Sequence, residues 1–122
     1  MSQVVITKAY VGQYPDPIGF EAGEPIDVGR SDPEFPEWHW CRNQHGKEGW
    51  VHHSYLSARQ GAATGARRYS AKELTVSAGA VATELERVGG WLLVQLADGS
   101  IGWLPESHAR GVRRQSKNRS RE

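Results

Sequence analysis

The five histidines are the residues that could bind a metal ion, since neutral imidazole is a common zinc ligand. His52 and His53 are adjacent, and His39 or His45 could supply a third nitrogen. The chain has no Cys-x-x-Cys pair, and no two histidines have the spacing of one helical face. Side chains of adjacent strand residues point to opposite faces, so His52 and His53 would not chelate one ion together. We therefore predict no metal site and no cofactor.

The candidate nucleophiles are Cys41, Ser54 and Ser107. Cys41 is close to His39 in the sequence, but strand alternation places its thiol in a core, where a thiol is unreactive. Neither serine lies in the Gly-x-Ser-x-Gly context that exposes a nucleophilic hydroxyl. The Gly-rich segment at residues 88–91 precedes a strand, whereas a phosphate-binding loop precedes a helix. We therefore predict that the protein is not an enzyme.

The composition is typical of a small β protein. The 122 residues include 14 Gly, 6 Pro and 5 Trp, and 38% of them are hydrophobic. This content is too aromatic for a disordered chain and too rich in Gly and Pro for a helical bundle. No run of 18 apolar residues predicts a membrane span. Because the start lacks the features of a secretion signal and Cys41 is the single cysteine, we expect a cytoplasmic protein.

Charge is distributed unevenly, although the chain carries only +1 overall. Residues 3–58 have a net charge of −4, residues 65–110 are balanced, and residues 111–122 have a net charge of +4. The basic tail has almost nothing to bury, so we expect it to be disordered. Its cations could contact nucleic-acid phosphates, but we favour a solubilising role because the acidic first half would repel phosphates. The tail could also fold back on that half as an internal ligand.

An internal repeat organises the chain. Four residues recur after 53 positions, which pairs Trp38, Gly46, Gly49 and Trp50 with Trp91, Gly99, Gly102 and Trp103. Each set predicts a β-hairpin, in which an aromatic-rich strand, a polar turn with Gly and a returning Gly-Trp strand follow one another. The copies differ in length only in predicted loops, as a duplicated small domain should.

Each copy resembles the Src-homology-3 (SH3) domain, a small five-stranded barrel. In the first copy, Tyr10 falls at a tyrosine of the opening motif, and residues 18–24 match the strand and diverging turn that follow it. Glu37 and Trp38 match the acidic residue and tryptophan that open the central strand. Residues 46–56 match the closing strand, the short helical turn and the terminal tyrosine.

The resemblance implies an all-β architecture of two consecutive SH3-like barrels, similar to that of small bacterial SH3-domain proteins. The first barrel would span residues 3–58 and the second residues 65–110. Residues 59–64 are small and polar, which is typical of a linker. Residues 111–122 would form the flexible basic tail.

The resemblance also implies a binding groove. SH3 domains bind extended, often proline-rich, peptides on flat aromatic side chains, because a preformed polyproline II helix loses little entropy on binding. Acidic side chains beside the groove pair with an Arg or Lys of the ligand. Carried over by position, the groove of the first repeat and its acidic side comprise Tyr10, Tyr14, Asp16, Asp32, Glu34, Glu37, Trp38, Trp50, His52 and Tyr55. The poorer groove of the second repeat comprises Tyr69, Trp91, Trp103 and Pro105.

We therefore predict a non-enzymatic module that binds an extended peptide, proline-rich peptides included, through the first repeat. The partner would be a protein or peptide, and a nucleic-acid partner is less favoured. The alternatives are nucleic-acid binding through the tail and exposed aromatic residues, recognition of cell-wall peptides, and a purely structural scaffold.

Trp40 and Leu93 predict a contact between the repeats. They occupy equivalent positions on the two central strands, and alternation points both outward. Large apolar side chains are costly when left in water, and a barrel of about 50 residues buries little surface alone. We expect Trp40, Leu93 or both to pack the repeats against each other or against a partner.

Overall fold

The computed structural model describes residues 2–13 and 16–112, and it confirms an all-β chain. The strands are β1 (Gln3–Ile6), β2 (Gly19–Phe20), β3 (Pro25–Ser31), β4 (Trp38–Asn43), β5 (Glu48–His52), β6 (Gly61–Thr64), β7 (Tyr69–Ser70), β8 (Val81–Val88), β9 (Trp91–Leu96), β10 (Ile101–Pro105) and β11 (Ala109–Gly111). Short 3-10 turns follow β5 and β10, at His53–Tyr55 and Glu106–His108. None of the helical segments described is long and apolar enough to cross a membrane. The predicted groove residue Tyr14 and the tail from residue 113 onward lie outside the described residues.

Two β-hairpins carry the four tryptophans of the predicted grooves, together with His52 and Pro105. In β4–β5, Trp38 lies opposite His52, and in β9–β10, Trp91 lies opposite Pro105. Gly46 stands in the first turn with a φ of 84°, a backbone conformation that favours glycine. These are the hairpins that the 53-residue repeat predicts.

The hairpins belong to separate antiparallel sheets. One sheet has four strands in the order β5-β4-β3-β6, and the other has five in the order β10-β9-β8-β1-β11. A two-stranded ladder of β2 and β7 places Phe20 opposite Tyr69. In this order the first strand of the chain lies in the sheet of the second repeat.

The two repeats thus exchange their first strands. β1 lies between β8 and β11, with Val4 opposite Ala82 on one side and Gly111 on the other. The position beside β3 in the first repeat is taken by β6, in which Ala62 lies opposite Asp27. This arrangement differs from the sequence-based boundaries, which gave β1 to the first barrel and placed β6 in a linker at residues 59–64.

Side-chain burial explains why sequence patterns missed the exchange. Val4 and Ile6 are at most 1% exposed and pack in the core of the second repeat. β6 reads Gly-Ala-Ala-Thr and is largely exposed, so it completes the backbone hydrogen bonds of β3 while adding little to the core. A strand of small residues lacks the alternation of polar and apolar side chains by which strands are recognised.

Two hydrophobic clusters form the core. The cluster of the first sheet comprises Ile18, Phe20, Ile26, Val28, Trp38, Cys41, Val51, Tyr55, Leu56, Tyr69 and Trp103. The cluster of the second sheet comprises Val4, Ile6, Leu74, Val76, Ala82, Leu92, Val94 and Leu104. Because Tyr69 and Trp103 come from the second repeat, the first cluster extends across the boundary between the repeats.

Leu93 and Trp40 have different surroundings. Leu93 is half-buried and packs against the first cluster, so it contributes to the contact between the repeats. Trp40 packs edge-on against Trp50 at 5.1 Å and donates a hydrogen bond from Nε1 to Glu48 at 2.7 Å, both within its own repeat. Trp38, Trp91 and Trp103 form a tryptophan contact between the repeats at the candidate site.

Candidate functional site

The joint between the repeats is built on three tryptophans. The ring of Trp38 packs edge-on against Trp103 and Trp91, with centroid distances of 5.5 and 6.3 Å. Trp38 Nε1 donates a hydrogen bond to the carbonyl oxygen of Gly89 at 2.9 Å. Trp38 is consequently only 5% exposed. The tryptophan predicted for an open groove of the first repeat therefore lies against the second repeat.

The turn formed by Gly89 and Gly90 fills the space beside Trp38. Gly89 has a φ of 52°, and a Cβ atom there would stand 2.4 Å from Trp38 Nε1. A Cβ atom on Gly90 would stand 2.7 Å from the ring of Phe35. Only glycine permits so close an approach of backbone to side chain. The β8–β9 turn thus covers the part of the first repeat that the predicted groove would offer to a peptide.

Tyr55, the terminal tyrosine of the first repeat, is also buried at the joint. It is 3% exposed, and its ring lies 4.5 Å from that of Tyr69. Its hydroxyl donates a short hydrogen bond to Glu86 of β8. Arg67 lies 3.8 Å over the Tyr55 ring and forms a salt bridge with Glu86 at 2.7 Å. Tyr55, Arg67 and Glu86 together make a polar clamp between the repeats.

The clamp shifts the pKa of both acidic groups in it. Burial, followed by the hydrogen bond to Glu86, raises the pKa of Tyr55 well above its ordinary value. Desolvation acts to raise the pKa of Glu86, but hydrogen bonds from Arg67 and Tyr55 outweigh it and lower that pKa. Tyr55 therefore stays a neutral donor and Glu86 a carboxylate at neutral pH.

His52 lies beside Glu37 and His53, and the possible metal-binding atoms of the three lie within 4.8 Å of one another. The backbone N–H of Ser54 donates to His52 Nδ1 at 3.1 Å, so the proton of the neutral ring is on Nε2, which faces Glu37 Oε1 at 3.2 Å. A metal ion needs that nitrogen unprotonated. The His52 and His53 rings stack at 4.5 Å with 26° between their planes, so their in-plane lone pairs do not converge. This geometry favours a cap on the 3-10 turn over a metal centre.

Tyr10 joins the aromatic side chains of the second repeat. Its backbone pairs with Val76, and its hydroxyl donates to Glu73 Oε1 at 2.7 Å. Its ring packs edge-on against Trp91 at 6.1 Å and against His108 at 5.3 Å. The strand exchange therefore places Tyr10 in the second repeat, and Trp91 contacts both its ring and that of Trp38 across the joint.

A cavity of about 230 Å³ opens where the two repeats meet. Its described lining comes from both repeats and comprises Tyr10, Gln13, Pro17, Ile18, Asp32, Phe35, Trp38, Glu48, Gly49, Trp50, Tyr69, Ala71, Glu73, Trp91 and Trp103. Four aromatic residues of this lining are half-buried, so part of each ring remains accessible: Tyr10, Phe35, Trp50 and Trp91. We call this feature the composite cavity.

The composite cavity is acidic. Asp32, Glu48 and Glu73 line it, and the part of the lining that the structure describes contains no Lys, Arg or His. Glu48 is paired with Arg42 at 2.7 Å, which forms a salt bridge on the outer face. Asp32 and Glu73 are instead held by neutral donors. Asp32 Oδ1 accepts the backbone N–H of Phe35 at 2.9 Å, and Glu73 Oε1 accepts that of Gln13 at 3.0 Å.

The remaining predicted residues divide between the core and the surface. Tyr69 and Trp103 are 5% and 3% exposed and belong to the first cluster, and Trp103 Nε1 donates to the carbonyl oxygen of Ser70 at 2.9 Å. Asp16 is exposed and pairs with Lys47 at 2.7 Å. Pro105 is half-buried opposite Trp91, while Glu34 and Glu37 are exposed.

Cys41 is buried in the first cluster, 1% exposed. Desolvation raises the pKa of its thiol to about 12. Its Sγ lies 3.5 Å from the carbonyl oxygen of His39, so the thiol contacts the backbone of that residue. A thiol of this kind is not a nucleophile at neutral pH.

Phe35 and Glu73 are two of the lining residues that the sequence-based groove did not include. Phe35 lies in the loop between β3 and β4, and its ring packs edge-on against Trp91 at 6.5 Å. Glu73 is brought to Tyr10 by pairing between segments 63 residues apart. The Phe-Pro pair before Trp38 was a usable signal for Phe35, whereas no local pattern marks Glu73.

Comparison with protein families finds one match. The family model described as a variant SH3 domain matches residues 4–59, somewhat less than half of the chain. Comparisons with curated proteins and with solved structures found no match. SH3-type domains are commonly protein-interaction modules and are typically non-catalytic. The matched residues run from β1 to the end of the first repeat. In the structure, however, β1 lies in the five-stranded sheet of the second repeat.

Proposed function

We propose that this protein is a non-catalytic binding module whose peptide site is the composite cavity. The observation that carries the proposal is a pocket between the repeats that combines half-buried aromatic rings with two carboxylates held by neutral donors. The ligand is an extended peptide segment that presents an apolar residue, such as proline, next to an Arg or Lys.

The aromatic rings supply the apolar part of recognition. Tyr10 and Phe35 pack edge-on against Trp91, and the three half-buried rings contribute aromatic faces to the cavity lining. Such faces bury the ring of a proline or an aliphatic side chain at a low entropy cost, because Trp and Tyr side chains are rigid. The cavity is large enough for about one or two side chains and too small for a folded element.

The carboxylates supply the charged part. Asp32 and Glu73 approach the cavity from different repeats, so a cation between them would be attracted by both. An Arg guanidinium can pair with a carboxylate while it stacks on an indole, and both interactions gain strength in a partly dry pocket. An anionic ligand such as a phosphate backbone would be repelled.

Binding in the groove of the first repeat alone is disfavoured by burial. His52 and Tyr55 are at most 5% exposed, and Gly89 and Glu86 of the second repeat lie against them. To reach them, a peptide would have to separate the repeats and expose the shared cluster with Trp103. A site that both repeats already form needs no such step.

Titration of isotope-labelled full-length protein with a proline-rich peptide that contains one Arg tests this proposal. We expect chemical-shift changes at the indole N–H signals of Trp50 and Trp91, with a Kd in the weak range usual for small buried areas. Asp32→Asn should weaken binding about tenfold, since a charge-assisted contact is lost.

Asp27→Asn is the matched control, because Asp27 is an exposed aspartate of β3 that does not line the composite cavity. It should bind the peptide as tightly as the unmodified protein does. Shifts confined to residues around His52 and Tyr55, or equal weakening by both substitutions, would overturn the assignment to the composite cavity.

A further inference from the structure

Five of the ten Lys and Arg residues in the described part of the chain form salt bridges. Salt bridges join Arg42 to Glu48, Lys47 to Asp16, Arg67 to Glu86, Arg68 to Glu21, and Arg87 to both Glu84 and Glu106. The densest group of additional cations is in residues 113–122, which contain Arg113, Arg114, Lys117, Arg119 and Arg121. The composite cavity presents carboxylates, and this segment carries the complementary charge.

We propose that the basic segment at residues 113–122 is an internal ligand of the composite cavity and competes there with external peptides. The inference rests on the proposed function, since it assigns a regulator to the same site. The cavity takes an Arg or Lys of the segment between Asp32 and Glu73, in the position that a cationic residue of a partner would occupy.

The end of β11 is close enough to the cavity for this contact. The backbone N–H of Val112 donates to the carbonyl oxygen of Gln3 at 2.9 Å. Seven residues separate Gln3 from Tyr10 of the cavity lining, so these two are at most about 25 Å apart. The ten residues that follow Val112 can span up to about 35 Å. Arg119 and Arg121, seven and nine positions beyond Val112, therefore have the reach that the contact requires.

Charge and linkage favour this occupant over a nucleic acid. A phosphate backbone would be repelled by Asp32 and Glu73, the carboxylates that attract the segment. A tethered segment also acts at an effective concentration of roughly millimolar, which allows weak individual contacts to compete with a free peptide. The segment can therefore regulate the site even if its intrinsic affinity for the cavity is low.

The test compares the full-length protein with a full-length variant in which Arg113, Arg114, Lys117, Arg119 and Arg121 are replaced by serine. The probe is a synthetic peptide of residues 113–122, followed through the indole signals of Trp50 and Trp91. We expect the serine variant to bind this peptide about tenfold more tightly than the unmodified protein, because the tethered competitor is gone. Equal affinities would overturn the proposal.

Two matched pairs of substitutions control for charge. The first pair is Arg119→Ser with Arg121→Ser. The control pair is Arg59→Ser with Arg110→Ser, which lowers the net charge by the same amount at two exposed residues outside the cavity. Only the first pair should tighten binding of the probe. In the five-serine background, Asp32→Asn with Glu73→Gln should weaken it at least tenfold. Equal effects of the two pairs, or no effect of the carboxylate changes, would contradict the internal contact.

The proline-rich peptide that contains Arg separates failure of this inference from failure of the proposed function. If it binds the unmodified protein and the five-serine variant equally well at Trp50 and Trp91, the proposed function stands and the internal ligand is overturned. If only the 113–122 probe binds, the internal contact stands and external peptide recognition is overturned. An oligonucleotide that binds through the segment without moving the indole signals would also overturn the internal ligand.

Discussion

Trp38 and Tyr10 show how residue type and residue environment combine. Both have side chains that serve equally in cores and in ligand sites. Trp38 is 5% exposed and bonded to Gly89, whereas Tyr10 is half-buried at the edge of the composite cavity. The two were predicted to share one groove, and both line the composite cavity, where Trp38 is packed at the joint and Tyr10 remains partly accessible.

The residue-scale prediction concerns Gly89. We expect Gly89→Ala to destabilise the protein by about 1–3 kcal/mol more than Gly99→Ala, as measured by urea denaturation. Both glycines have a positive φ, so backbone strain is common to the two variants. A Cβ atom at Gly89 would collide with Trp38 Nε1 at 2.4 Å, whereas at Gly99 it would meet nothing within 4 Å. Similar losses for both variants would contradict close packing of the β8–β9 turn on Trp38.

At the scale of elements, the exchange of β1 and β6 determines which side chains meet. β1 brings Tyr10 to Trp91 and His108, and the segment after β6 brings Tyr69 to Tyr55. The hairpins β4–β5 and β9–β10 remain within their own repeats. Each repeat therefore keeps its central strands and takes its opening tyrosine from the other.

The element-scale prediction tests this exchange. Ile6→Ala should cost about 2–5 kcal/mol, since Ile6 is 1% exposed in the second cluster. Native-state hydrogen exchange should show the greater loss of protection in β8, β9 and β11. Val28→Ala, in the first cluster, is the control and should mainly affect β3, β4 and β6. Loss of protection chiefly in β3–β5 of the Ile6 variant would indicate that β1 pairs within the first repeat.

At the scale of the whole molecule, the repeats behave as one interlocked body. They share a hydrophobic cluster, exchange strands, and are joined by the clamp of Tyr55, Arg67 and Glu86. A barrel of this size buries little surface by itself, so each repeat depends on the other.

The prediction at this scale is a pH dependence of the clamp. The pKa of Glu86 is lowered in the folded protein, so its carboxylate stabilises the fold above the ordinary glutamate pKa of about 4.5. The stabilisation is lost as pH falls through the lowered pKa. The loss of stability caused by Glu86→Gln should therefore be largest near pH 7 and should shrink toward pH 3, as measured by urea denaturation at each pH.

The Tyr55→Phe background provides the control for this pH series. Without the Tyr55 hydroxyl, Glu86 loses one of the two hydrogen-bond donors that lower its pKa, so Glu86→Gln should have a smaller effect at pH 7. Arg67 still pairs with the carboxylate, and part of the pH dependence should remain. A difference that does not change with pH would show that the charge of Glu86 does not stabilise the joint.

The fold class, the two hairpins and the resemblance of the first repeat to a variant SH3 domain could be predicted from the sequence. These follow from local signals, namely the recurrence of Trp and Gly after 53 residues and the turns at Gly46 and Gly99. Local signals suffice because a hairpin forms between neighbouring segments, and its register is set by the turn. The burial of Cys41 also follows from strand alternation alone.

Long-range packing determines which strands complete each sheet and which aromatic residues remain accessible. Backbone hydrogen bonding does not distinguish β1 from β6 as a partner for β3, so the pairing depends on which core can bury Val4 and Ile6. The accessibility of Trp38 depends on Gly89, 51 residues away, and the acidity of the composite cavity on Glu73, brought to Tyr10 across 63 residues. Such contacts depend on how the whole chain packs, and no local pattern records them.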